Sequence, residues 1–89
     1  MSRLPDADIL DTIAELARRR FGWRGRLEPT THLVEDLGLD SLKSLELAIE
    51  IENHFHIRLD EASEAAIETA GDLVATIRSE VSKTRGRQT

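Results

Sequence analysis

Apolar residues along the chain recur at helical rather than strand spacing. Ile9, Ile13, Leu16 and Ala17 mark one face across residues 6–20, with Asp6 and Asp8 in the first turn and Arg18, Arg19 and Arg20 in the last, so both ends complement a helix dipole. The Arg run is read as a solvated helix end, since three cations without interleaved aromatics make a poor nucleic-acid patch. Gly22 and Gly25 stop this first helix, and a long loop runs on through Pro29 with Trp23 and Leu27 as its large apolar side chains. Trp23 is read as the anchor of that loop, packed back on the helix it follows. Thr31–Leu37 predicts a single helical turn, because Leu33 and Leu37 stand four apart. A second helix is expected from Ser41 to about Phe55, and a short acidic third over residues 60–67, where Ala62, Ala65 and Ala66 would permit close packing. Thr69 and Asp72 resemble a capping box with aspartate in the usual glutamate place, and Leu73, Val74, Ile77 and Val81 supply the buried face of a fourth helix. The pattern predicts an all-α fold: a small four-helix bundle, three longer helices plus a short third, with a long loop between the first and second. Residues 83–89 carry Arg85, Gly86 and Arg87 without apolar periodicity and are expected to form a flexible basic tail.

The second helix has two apolar stripes. At 100° per residue Leu47, Ala48, Ile51 and Phe55 share one arc, while Leu42, Leu45 and Ile49 form another beyond Ser41. The first must be core. The second has three open uses: packing on the preceding loop, covering a pocket, or remaining exposed as a docking surface rimmed by charge. Beside it Glu46, Glu50 and Asn53 form a polar ridge with Lys43 at its edge.

Composition narrows the picture. At 89 residues there is room for one small domain, burying about 60% of the surface its unfolded chain exposes. Aromatics make up only 3%, so the core must be aliphatic. No cysteine is present, which removes disulfides and thiolate metal sites and means that any thioester chemistry needs an imported thiol. No stretch approaches the ~20 apolar residues of a membrane span, and residues 1–10 lack the apolar core of a secretory signal, so a cytoplasmic location is expected. The net charge of −5 hides an asymmetry: residues 27–82 hold three Lys/Arg against thirteen Asp/Glu. An acidic middle argues against a nucleic-acid backbone as partner and in favour of basic proteins, although on charge alone a solubilising surface is the better reading.

Candidate chemistry centres on Leu37-Gly38-Leu39-Asp40-Ser41-Leu42. A serine opening a helix stands where free backbone N–H groups and the positive dipole end favour a phosphate, and its hydroxyl can carry a phosphate ester. Simple capping is the competing role, because Asp40 and Ser41 both favour helix N-termini. Metal binding is not expected. A calcium loop begun at Asp36 would need an oxygen ligand at its third position and glutamate at its twelfth, where this chain has Gly38 and Leu47, and His32 has no ligand partner nearby. A serine hydrolase built on Ser41 with His54 or His56 lacks the Gly-x-Ser-x-Gly elbow, and those histidines fit better at a helix C-terminus.

Taken together, Val34-Glu35-Asp36-Leu37-Gly38-Leu39-Asp40-Ser41-Leu42 and the later Thr69-Ala70-Gly71-Asp72-Leu73 resemble the acyl carrier protein family, over roughly Ile9 to Ile77. The resemblance implies that residues 1–82 form a freestanding carrier domain, not an enzyme. It implies that Ser41 receives 4′-phosphopantetheine from coenzyme A, and that the thiol of this arm holds acyl or aminoacyl cargo as a thioester in fatty-acid, polyketide or related biosynthesis. Asp40 and Leu42 then frame Ser41 for a phosphopantetheinyl transferase, while Leu45, Glu46, Ile49 and Glu50 meet partner enzymes. These partners are a loading ligase, synthases or transferases, and the carrier is expected to be a monomer. Lys43 departs from the acidic or neutral residue common there, which bears on partner identity. The rival reading is a helical interaction adaptor in which Ser41 accepts simple phosphate.

Overall fold

The computed structural model describes residues 5–86, which form five helices: α1 (Asp6–Phe21), α2 (Leu33–Leu37), α3 (Ser41–Phe55), α4 (Glu61–Ala66) and α5 (Ala70–Gly86). No strand occurs among the described residues, where one isolated antiparallel bridge joins His32 to Thr69. The all-helical bundle expected from the periodicity is what the chain forms. The helix number rises from four to five because the turn expected before Ser41 is a helix of its own. Local bonds make it so: the Asp36 carboxylate accepts the His32 amide at 2.8 Å, and the Leu39 amide reaches back to the Val34 carbonyl at 3.1 Å. Gly38 allows that return by taking φ 69°, a left-handed conformation that a side chain would strain.

α1 packs on α3 and α5, and the apolar stripes read from sequence meet between them. Ile9, Ile13, Leu16 and Ala17 of α1 are buried with Leu47 and Ile51 of α3 and with Ala70, Leu73, Val74 and Ile77 of α5. Leu33, Leu37, Leu39, Ile57 and Leu59 close the ends, and no polar or charged residue is buried among those described. Each fully buried aliphatic side chain contributes roughly 1.5–3 kcal/mol, so this core rather than helix propensity holds the bundle. At its periphery Arg78 of α5 grips Asp6 at the start of α1, its Nε donating to Oδ1 at 3.0 Å.

The long loop is pinned to the N-terminus of α5. Amides of Ala70 and Gly71 donate to the carbonyls of Thr31 and Pro29, both at 2.9 Å, and the Leu33 amide donates to Glu68 at 3.0 Å. The reciprocal cap of α5 forms as expected: the Asp72 amide donates to Thr69 Oγ1, and the Asp72 carboxylate accepts the amides of Thr69 and Glu68, all at 3.1 Å. Trp23 packs half-buried against the core beside Ala14 and Arg18 of α1, the anchoring expected of it.

Two expectations need correction. The alanines of α4 do not pack: Ala62, Ala65 and Ala66 are all exposed and α4 buries no residue. With only six residues the helix is held instead by its flanks, Leu59 and Ile67, and by Asp60, whose carboxylate accepts the Ser63 amide at 2.8 Å. At the other end α5 runs through Gly86, past its last apolar position Val81, so the first four residues of the expected tail are helical. The remainder of that tail, 87–89, lies outside the described residues.

Candidate functional site

Ser41 is the first residue of α3 and is exposed. The segment leading to it is anchored on both sides of Gly38, because Leu37 and Leu39 are both buried. Asp40 follows with extended backbone and caps the helix: its Oδ1 accepts the Lys43 amide at 2.8 Å, and its carbonyl accepts the Ser44 amide at 2.8 Å. This separates two roles that the sequence left entangled. Asp40 does the capping, and among the described residues no hydrogen bond engages the hydroxyl of Ser41. A covalent group on that oxygen would project into solvent without disturbing the cap. Its phosphate would lie at the positive end of a 15-residue helix, the electrostatics a phosphodiester favours. The residues therefore fit a phosphate-linked arm.

The two stripes of α3 separate as well. Leu47 and Ile51 are buried at 3% and 1% exposure, with Ala48 and Phe55 packed beside them, whereas Leu42, Leu45 and Ile49 are 63%, 53% and 44% exposed. Of the three uses open to the second stripe, exposure is the one the structure shows. Val34 on α2, at 59%, is a further exposed aliphatic that periodicity did not single out, since a five-residue helix has no stripe to read.

A small cavity of about 150 Å³ lies on the other flank of α3. Leu33, Val34, Leu39, Leu47, Ala48, Ile51, Leu59, Ile67 and Leu73 line it, and Ser44 and Glu64 add two polar groups. None of Leu42, Leu45 or Ile49 borders it, so the exposed stripe does not cover this pocket. A pocket was one of the uses open to the second stripe, but its lining could not be read from any one segment, because the walls come from four helices and the loops between them.

Glu46 and Glu50 stand one turn apart, and each is only about one-third exposed in its side chain. Arg20 at the end of α1 lies across both, its Nε 3.7 Å from Glu46 and its Nη1 3.5 Å from Glu50. Arg20 is exposed, as expected of a solvated helix end, and α3 in addition supplies it with two acids. Glu52, which drew no attention in the sequence, turns inward and accepts the Leu59 amide at 2.7 Å, fixing the loop beyond α3. Lys43 remains exposed at the rim.

The histidines stay apart from Ser41. His54 is in the last turn of α3 and His56 is its C-cap, so some thirteen residues of helix, on the order of 20 Å, separate them from the serine. No cluster of three His, Cys, Asp or Glu able to hold a metal exists among the described residues, and none of their helices is long and apolar enough to cross a membrane.

A family model for the phosphopantetheine attachment site matches residues 7–77. Acyl carrier protein 3 of Ralstonia nicotianae is 46% identical over 54 residues, a stretch that spans 61% of this chain and 61% of that protein. In fold, the chain is similar to the crystal structure of an acyl carrier protein from Thermotoga maritima, with a TM-score of 0.83 over 94% of this chain and 99% of the other at 18% identity. The family match takes in α2, α3 and α4 entire, nearly all of α1 and the first half of α5, and the chain accordingly belongs to the family defined by the attachment of phosphopantetheine.

Proposed function

We propose that this protein is a carrier, with Ser41 as its point of attachment and no catalysis of its own. The observation that carries the reading is the division of labour at the start of α3: Asp40 holds the helix end, which leaves the exposed hydroxyl of Ser41 available to a phosphopantetheinyl transferase. When attached, phosphopantetheine supplies a thiol on which cargo is held as a thioester, the thiol this cysteine-free chain lacks. The protein contributes presentation. Buried Leu37 and Leu39 fix the loop, α3 fixes the direction of the serine, and Leu42, Leu45 and Ile49 offer apolar contact to the enzymes that load and unload it. A tethered group reaches each docked enzyme at high effective concentration, and modest contacts allow release.

The cavity beside α3 favours an acyl cargo. Its lining is almost wholly aliphatic, and a void of this size is enough to take a benzene-sized apolar guest. That suits a short hydrocarbon chain and suits a charged aminoacyl group poorly. The partners on this reading are a transferase, an acyl-loading ligase and acyl-using synthases or transferases of fatty-acid or polyketide type, in the cytoplasm where coenzyme A is available.

Intact mass spectrometry tests the assignment. Incubation with coenzyme A and a broad-specificity phosphopantetheinyl transferase should add one phosphopantetheine to the protein and none to Ser41→Ala. Circular dichroism should show the variant still helical, since Asp40 keeps the cap. Modification of the Ser41→Ala protein would overturn the site. A wild-type protein isolated from its host with simple phosphate on Ser41 would return the adaptor reading.

A further inference from the structure

Arg20 is placed to compete with partners for the acidic ridge of α3. Glu46 and Glu50 present two carboxylates one helical turn apart, and an arginine of a docking protein would have to approach them where Arg20 already lies. Both contacts, at 3.7 and 3.5 Å, are longer than charge-assisted hydrogen bonds, and the Arg20 side chain is nearly half exposed. Such pairs are weak and exchange readily with solvent. The guanidinium therefore lowers the potential of the ridge without closing it. Lys43 at the ridge edge lowers it further, and Arg19 stands exposed next to Arg20, so the ridge is far less anionic than the acid count of residues 27–82 suggests.

We propose that Arg20 is a specificity-determining residue, an internal competitor that masks Glu46 and Glu50 and admits partners that bring an arginine pair able to displace it. This rests on the carrier reading for its biological use, but the masking itself is a property of the ridge and can be measured without any enzyme. A partner with a single lysine gains little from the ridge, because it must replace a guanidinium that already touches both acids. A partner with two arginines at helical spacing replaces it on better terms, with bidentate geometry at each carboxylate.

The test uses Arg20→Gln, with Arg19→Gln as its control, because both remove one positive charge from neighbouring positions while only the first unmasks the ridge. A helical peptide carrying two arginines four residues apart is titrated into each full-length protein at low salt and followed by amide shifts of α3. Arg20→Gln should bind about 2–5-fold more tightly than wild type, the range expected for releasing an exposed ion pair. The shifts should centre on Glu46 and Glu50, and Arg19→Gln, which removes a charge but no contact with the ridge, should tighten binding clearly less than Arg20→Gln. Adding Glu46→Gln and Glu50→Gln to Arg20→Gln should abolish the gain. Equal tightening in both arginine variants would reduce the effect to net charge and overturn the proposal, as would no tightening in Arg20→Gln with its circular dichroism unchanged. The rate of Ser41 modification, measured in parallel, reports on the carrier reading alone: an unmodified wild type sinks that reading whatever the peptide does.

Discussion

The amide of Gly71 donates to the carbonyl of Pro29 at 2.9 Å, and a Cβ added at Gly71 would sit 3.0 Å from that same oxygen. The long loop and the first turn of α5 are thus in backbone contact at a point where any side chain intrudes. Gly71→Ala would ordinarily gain helix stability, by up to about 1 kcal/mol. Here the clash is with backbone that three neighbouring hydrogen bonds hold in place, so the variant should instead lose about 1 kcal/mol, the low end of overpacking costs. Urea denaturation decides it, and a variant more stable than wild type would mean that the loop yields freely.

His56 ends α3 in a left-handed conformation at φ 58°, a position where glycine is the residue without penalty. His56→Gly should raise stability by about 0.5–1 kcal/mol, the relief of strain being partly offset by the greater freedom of glycine in the unfolded chain. Thermal melts decide it, and a variant less stable than wild type would mean that the His56 side chain contributes more than its backbone conformation costs.

What the sequence disclosed and what it withheld divide along one physical line. Caps and stripes are local: Asp40, Thr69 with Asp72, and the two arcs of α3 all follow from spacing within a few residues, and each stands where the periodicity put it. Contacts between elements are different in kind. Nothing in the residues near Arg20 shows that α1 will lie against Glu46 and Glu50, and nothing near Glu52 shows that it will turn inward to the Leu59 amide seven residues on. The alanines of the short helix misled for the same reason. Small residues allow close packing but do not supply a surface to pack on, and the bundle places none against them. The 150 Å³ cavity beside Ser44 is likewise a remainder left by several helices and belongs to no segment.

Acid should loosen the two caps that hold the second half of the chain. The amide of Ser63 holds the carboxyl of Asp60 below the usual carboxylate range, and the amides of Glu68 and Thr69 do the same for Asp72. A lowered folded pKa means that the unfolded chain binds protons first as pH falls. The stabilisation is therefore complete above about pH 4, near the unfolded pKa, and is lost as pH drops through the lower folded values. The double variant Asp60→Asn, Asp72→Asn keeps an oxygen acceptor at each cap and removes the titration. Its stability should change less than that of wild type between pH 5 and about pH 2.5, compared by urea titration at each pH. Parallel pH curves for the two proteins would show that other carboxylates govern acid unfolding.

The two stripes of α3 make opposite demands on the same helix, and truncating one leucine and one isoleucine sets them against each other. Ile51, 1% exposed, faces the centre of the core, so Ile51→Ala removes buried surface and leaves a void, for a loss of about 2–5 kcal/mol. Leu45 is 53% exposed, and the transfer energy at stake is correspondingly small, so Leu45→Ala should lose under about 1 kcal/mol. Function should order them the other way. Leu45 stands only about 40° around the helix from Ser41, close enough for an enzyme that reaches the arm to touch it. Measured on protein already carrying phosphopantetheine, acyl loading or transfer should therefore slow severalfold in Leu45→Ala through a raised KM. Ile51→Ala, assayed where it remains folded, should work normally per folded molecule. Denaturation curves and a transfer assay on both variants give the answer. If Leu45→Ala proves as unstable as Ile51→Ala while transferring cargo at the normal rate, the exposed stripe has no part in docking and α3 meets its partners by another face.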